Sequence, residues 1–111
     1  MSDQFSTGSM PDGGKIIVHV DPDFELLVPK FLAKRKQEVM AMREALWQQD
    51  FETTGRIAHG MKGASGMYGF DQLAAMAATI EIAAQTGTRS PIETELQGLA
   101  TYLESVHVVF D

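Results

Sequence analysis

The sequence predicts an all-α fold: an antiparallel four-helix bundle with a short extra N-terminal helix and a flexible N-terminal tail. Two observations carry it. Apolar residues recur at spacings of three and four from Phe24 to Phe110, and Pro or Gly breaks that rhythm at short intervals. A chain of 111 residues has room for one core, and four amphipathic stripes too wide to leave wet bury one another most simply as a bundle.

Met1 to Gly14 is mostly Ser, Gly, Asp, Thr and Pro and reads as the tail, 1–14, which leaves 15–111 as the single bundle domain. Lys15 to Val20 is a β-branched run for which no second strand is legible, so it is expected to lie extended without forming a sheet. Asp21-Pro22 is an N-cap and first-turn pair, and a short helix is predicted from it to about Val28. Pro29 interrupts that helix and starts a long one to about Gln48, with Phe31, Leu32, Val39, Met42 and Leu46 inward. Its Lys30, Lys34, Arg35 and Lys36 read as a solvated face. Asp50 caps the next segment, which runs through a glycine-laden stretch to Tyr68. Asp71 opens an Ala-rich helix with Leu73, Met76, Ala77, Ile80 and Ala84 on one side, and Gly87 gives its left-handed stop. Ser90, Pro91 and Glu93 form a capping box for the last helix, whose Ile92, Leu96, Leu99, Leu103, Val106 and Phe110 carry the rhythm onward.

Composition narrows the function. Fifteen acidic against nine basic residues, net charge −6, argue against nucleic acid or an anionic membrane as partner, since such binding needs clustered Lys and Arg. A protein partner is expected. The absence of Cys excludes disulfides and thiolate metal sites, and with no apolar leader or long apolar stretch a cytoplasmic location is expected. A second, nucleotide-binding domain does not fit the length. His19 lies near Asp21 and Asp23, but the chain's approach to a helix cap explains these residues, and with no helical His-His or His-Glu pair no metal is expected. His107 reads as a boundary residue of the last helix, and Trp47 and most methionines as core or rim.

The chemistry concentrates between Gly55 and Gly69. Wound as a helix at about 100° per residue, this segment puts Ile57, Met61, Ala64 and Tyr68 on one face and Glu52, Gly55, Arg56, His59, Lys62, Gly63 and Gly66 on the other. His59 then faces water. Each interior glycine costs a helix about 1 kcal/mol relative to alanine. Gly60, on the flank, suits a close helix contact; Gly63 and Gly66 share the histidine's face, where bare backbone clears the approach of something large. Lys62 and Arg56, three residues on either side, disfavour the imidazolium, keep His59 neutral and nucleophilic, and offset negative charge transferred to it. A phosphoryl group fits that description. The segment fails as a phosphate-binding loop because Met61 separates Gly60 from Lys62, and as a nucleophile elbow because its closing glycine is missing. Met67, apolar and flanking the histidine face, gives a partner's helix something to bury.

His59-Gly60-Met61-Lys62-Gly63, with Gly69 six residues further on, resembles the His-x-x-Lys-Gly signature of histidine phosphotransfer (HPt) domains. Phe70, Asp71, Leu73 and the Ile80-Glu81 pair also match, over roughly Val20 to Gln85. Met61 stands where leucine is commoner and Gly60 where a larger residue is frequent, but no reacting group is lost. The resemblance implies a phosphorelay intermediate: His59 is the phosphoacceptor through Nε2, Lys62 and Gly63 border the phosphoryl group, whose charge Lys62 steadies, and Gly66 and Gly69 belong to the same motif. With Arg56 and Met67, placed beside the histidine by their spacing, Gly63, Gly66 and Gly69 are expected to meet the partner. Its partners are response-regulator receiver domains and a hybrid sensor histidine kinase. No acidic cluster accompanies His59 beyond Glu52 and, as an orienter from the next helix, Glu81, so the chain carries no cofactor and Mg²⁺ belongs to the receiver. Such a protein is a covalent carrier and not an enzyme. The competing expectation is a non-catalytic adaptor or inhibitor that binds a receiver or kinase. A free-standing monomer is expected.

Overall fold

The computed structural model describes residues 15–111; the predicted tail, 1–14, lies outside the described residues. Its elements in order are β1 (Ile16–Val20), a 3₁₀ turn (Pro22–Phe24), α1 (Val28–Trp47), α2 (Phe51–Met67), α3 (Asp71–Gln85), α4 (Arg89–Ser105) and β2 (Val106–Phe110). The helices form a closed ring of contacts, α1 on α2, α2 on α3, α3 on α4 and α4 on α1, with α2 and α3 the most extensive pair. Met42, Ala58, Met61, Phe70, Leu73, Ile80, Ile92 and Leu99 are wholly buried inside it, each large apolar side chain contributing on the order of 2 kcal/mol through removal from water. No helix among the described residues is long and apolar enough to cross a membrane.

The prediction of an all-α fold is corrected at both ends. β1 pairs in parallel with β2, Ile16 opposite Val106 and Val20 opposite Phe110, so the β-branched run does have a partner. The apolar periodicity places that partner in the last turns of the final helix instead. Val106 and Phe110 do continue the apolar rhythm of α4, but Val106 already has extended dihedrals, φ −71° and ψ 134°, and the run Val-His-Val-Val-Phe favours a pleated surface. The extra N-terminal helix is also shorter than predicted. Only Pro22–Phe24 forms a 3₁₀ turn, capped by Asp21 Oδ1, which accepts from the Asp23 N–H at 2.8 Å; the chain then enters α1 at Val28, with Pro29 in its first turn.

The other caps are mixed. Asp50 accepts from the Thr53 N–H at 3.0 Å and from its hydroxyl at 2.6 Å, bonds that hold its carboxyl below the usual range, the hydroxyl foremost. Gly87, at φ +68°, takes the left-handed position after α3. The Ser90 capping box does not form. Thr88 is the N-cap residue, its hydroxyl 2.7 Å from that of Thr86, and Glu93 instead accepts from Arg89 Nε at 3.0 Å. Arg89 Nη1 reaches across to the Leu46 carbonyl at 2.8 Å, fastening the start of α4 to the end of α1.

Arg35 departs from the solvated face expected of it. It is buried, with its guanidinium 4.7 Å from the Phe31 ring centroid and Nε 2.7 Å from Glu38 Oε1. Phe31 in turn stacks on Phe70 at 5.0 Å and meets Tyr68 edge-on at 5.1 Å, so the Arg35 guanidinium lies over one ring of an aromatic cluster.

Tyr102 is buried on α4 with no hydrogen-bond partner for its hydroxyl among the described residues. Burial, with the Asp71 charge secondary, pushes its pKa up to about 12. The folded chain thus keeps a proton that the unfolded chain releases near pH 10, so the stability that depends on the neutral phenol is present below that pH and lost as pH rises toward 12. Tyr102→Phe is expected to remove this alkaline loss and to leave stability at pH 7 unchanged or raised, since it deletes an unpaired hydroxyl. Thermal denaturation of both proteins from pH 7 to 11 checks it.

Candidate functional site

The site is built on α2. Thr54, Ala58, Met61 and Ser65, spaced four, three and four apart, are the buried residues of that helix, and their direction turns His59 outward. Ile57, Ala64 and Tyr68, predicted for the inner face, are only half-buried beside it. The His59 side chain is 70% exposed. Its Nδ1 lies 2.7 Å from Glu81 Oε2, and the other oxygen of the same carboxylate accepts from Lys62 Nζ at 2.7 Å. Glu81 comes from α3 and is only 17% exposed. One carboxylate therefore joins the histidine and the lysine.

That arrangement fixes the state of the carboxylate and the place of the proton that His59 shares with it. The Lys62 hydrogen bond, and then the one to His59, hold the Glu81 carboxyl below its usual range, so it is ionised at neutral pH. An ionised carboxylate only accepts, so the proton in the bond to His59 sits on Nδ1. In the neutral ring the lone pair is then on Nε2, on the side of the imidazole turned away from Glu81. The ammonium predicted beside the histidine is present, joined to it through Glu81. The sequence points to this carboxylate only through the resemblance, because no spacing within α2 reveals what α3 places against it.

The glycines separate into two kinds. A Cβ at Gly60, Gly63 or Gly66 would meet nothing within 4 Å, and all three are exposed. Gly60 does not serve the helix contact expected of it. Gly55, expected on the outer face, serves it instead: a Cβ there would stand 3.2 Å from Ala84 Cβ on α3. A Cβ at Gly55 would crowd α3, whereas nothing in the fold opposes one at the other three, which cost the helix about 3 kcal/mol together. Gly63→Ala should stabilise the protein by about 1 kcal/mol and Gly55→Ala should destabilise it. Urea denaturation of the two variants checks this opposition of sign.

Arg56 lies on a cleft of about 360 Å³ between α2 and α3, lined also by Phe51, Glu52, Gly55, His59, Glu81, Ala84 and Gln85. Met67 is 72% exposed at the end of α2, and Gly69, at φ +86°, makes the turn that follows. The structure thus spreads Arg56, His59, Lys62, Gly63, Gly66 and Met67 over one exposed side of α2. His19 lies elsewhere, on β1, its Nδ1 3.0 Å from Asp111 Oδ2. His107 is on β2 and not on the last helix. Among the described residues no three His, Asp or Glu side chains are grouped to hold a metal.

The family model described as Hpt domain matches residues 27–108, a span that includes all four helices. No curated protein and no solved structure matches the chain.

Proposed function

The chain belongs to the Hpt domain family, whose members are phosphocarrier modules of two-component systems and not catalytic enzymes, and from that premise we propose that it relays a phosphoryl group on His59. Residues 15–111 act as one carrier domain, a bundle whose three-residue connections reverse the chain between antiparallel helices. The observation that carries the reading is the Glu81 bridge, which supports a His59 ring with Nδ1 occupied and Nε2 open to solvent.

In the transfer, the Nε2 lone pair attacks the phosphorus of an aspartyl phosphate on a receiver domain. The N–P bond forms as the P–O bond to the aspartate breaks, and the electron pair leaves with the carboxylate. Nδ1 keeps its proton, and Glu81 balances the cationic ring while the phosphoryl group is attached. Lys62 moves its ammonium toward the phosphoryl oxygens as they arrive, a charge-assisted contact that Glu81 holds ready. The receiver supplies Mg²⁺ and the acidic pocket. Return of the group to a second receiver is the same step reversed. Gly63 and Gly66 admit the partner's surface to within bonding distance, and Arg56, Met67 and Gly69 border that contact. A hybrid sensor kinase upstream and a response regulator downstream, both in the cytoplasm, complete the relay.

Incubation with a radiolabelled phospho-receiver tests the reading. The expected result is label on this chain that is lost in acid, kept in base and mapped to the peptide containing His59. Receiver binding without any transfer of label would assign the protein to a non-catalytic adaptor role instead.

A further inference from the structure

The β1–β2 ribbon is not used by the carrier reading, and β1 lies wholly outside the residues that the Hpt model matches. Neither strand contains Asp, Glu, Lys or Arg: they read Ile-Ile-Val-His-Val and Val-His-Val-Val-Phe. Two strands are fewer than a sheet needs to be stable by itself, and among the described residues the outer edge of each strand is unpaired. An in-strand lysine, a proline or a bulge, the usual protection for such an edge, is missing from both. One face of the ribbon, with Ile16, Val18, Val106 and Val108, packs on the core. The other leaves Ile17 44% exposed beside His19.

We infer that β1 pairs edge to edge with β1 of a second copy of this chain, antiparallel about a twofold axis at Val18. The register is self-complementary. It sets Val18 against Val18, Ile16 against Val20 and Ile17 against His19, and just beyond the strand ends it sets Lys15 against Asp21, twice. Opposite charges facing each other across strands favour pairing and like charges oppose it; an in-register parallel pair would face Lys15 with Lys15 and Asp21 with Asp21. Lys15 and Asp21 are both exposed, and Asp21 spends only Oδ1 on its turn. The edge of β2 lacks this feature, since pairing about Val108 would face Asp111 with Ser105. The product is a twofold dimer with a continuous four-stranded sheet, in place of the monomer expected from sequence.

Sedimentation equilibrium of the full chain tests the inference. A five-residue edge is a small interface, so a dimer with Kd on the order of 0.1 mM is expected. Lys15→Asp should weaken it about tenfold, adding Asp21→Lys should restore it to within about threefold, and Ile17→Lys should leave only monomer, all with unchanged helical circular dichroism. Uptake of phosphate by His59 should be unchanged in Lys15→Asp, so a failure of assembly is distinguishable from a failure of the carrier role. A wild-type chain that stays monomeric to about 1 mM, roughly ten times that Kd, overturns the inference, as does a dimer indifferent to Lys15→Asp and Ile17→Lys. Dimerisation that appears only after removal of residues 1–14 also overturns it, since it would assign the edge of β1 in the wild-type chain to that segment.

Discussion

His59→Gln is expected to abolish phosphate uptake from a phospho-receiver while leaving the bundle folded. The two halves of this result have separate physical grounds. Histidine at this position is 70% exposed and adds nothing to the core, and glutamine has at least as good a helix propensity, so stability should change by no more than about 0.5 kcal/mol. The amide, however, offers no nucleophilic nitrogen. Neither of the other histidines can substitute. His19 and His107 lie on the ribbon strands, and among the described residues no lysine-bridged carboxylate accompanies them. Label transfer and circular dichroism on the same preparation check both halves. Labelling of the variant at wild-type rate would remove His59 from the reaction.

Glu81→Ala should give the second largest effect, a fall in transfer rate of about 10- to 100-fold with uptake still detectable, on the scale of losing a group that orients a reacting histidine. Three functions disappear with the carboxylate: the acceptor that keeps the proton on Nδ1, the charge that balances the phosphorylated ring, and the anchor that holds Lys62 beside it. Glu81→Gln should fall between, because an amide oxygen accepts from Nδ1 without supplying charge. A purely structural role predicts a different outcome, namely lower stability with a transfer rate that recovers once the sample is cooled into the folded range. The variants also differ from the wild type in acid. Because the Glu81 carboxyl is depressed in the folded chain, its contribution to stability is present above the ordinary carboxylate pKa and declines as pH falls through the depressed value. Glu81→Gln should lose that part of the acid dependence, and denaturation at pH 3 and pH 7 measures it.

Periodicity made α1, α2 and α3 readable to within a few residues, because each carries its own stop or start: Pro29, the Asp50 cap, Asp71 and Gly87. It misled at Val106, where an apolar rhythm of period three to four continues across a strand whose partner is at the opposite end of the chain. The site divides along the same line. His59, Lys62 and the bare ridge of Gly63 and Gly66 lie on one helix, so their relation follows from residue spacing. Glu81 lies 22 positions from His59, and only packing of α3 on α2 brings it to the ring. Gly55 and Gly60 exchanged their expected roles because a helical wheel gives direction around an axis but does not say where the neighbouring helix sits.

Nitrogen-15 and phosphorus-31 NMR of the chain after phosphotransfer from a receiver tests most directly the claim that Glu81 presents His59 through one nitrogen. A phosphoryl group coupled to Nε2 of His59, with Nδ1 protonated and still bonded toward Glu81, is the predicted result. Phosphate found on Nδ1, or on any residue other than His59, would contradict it.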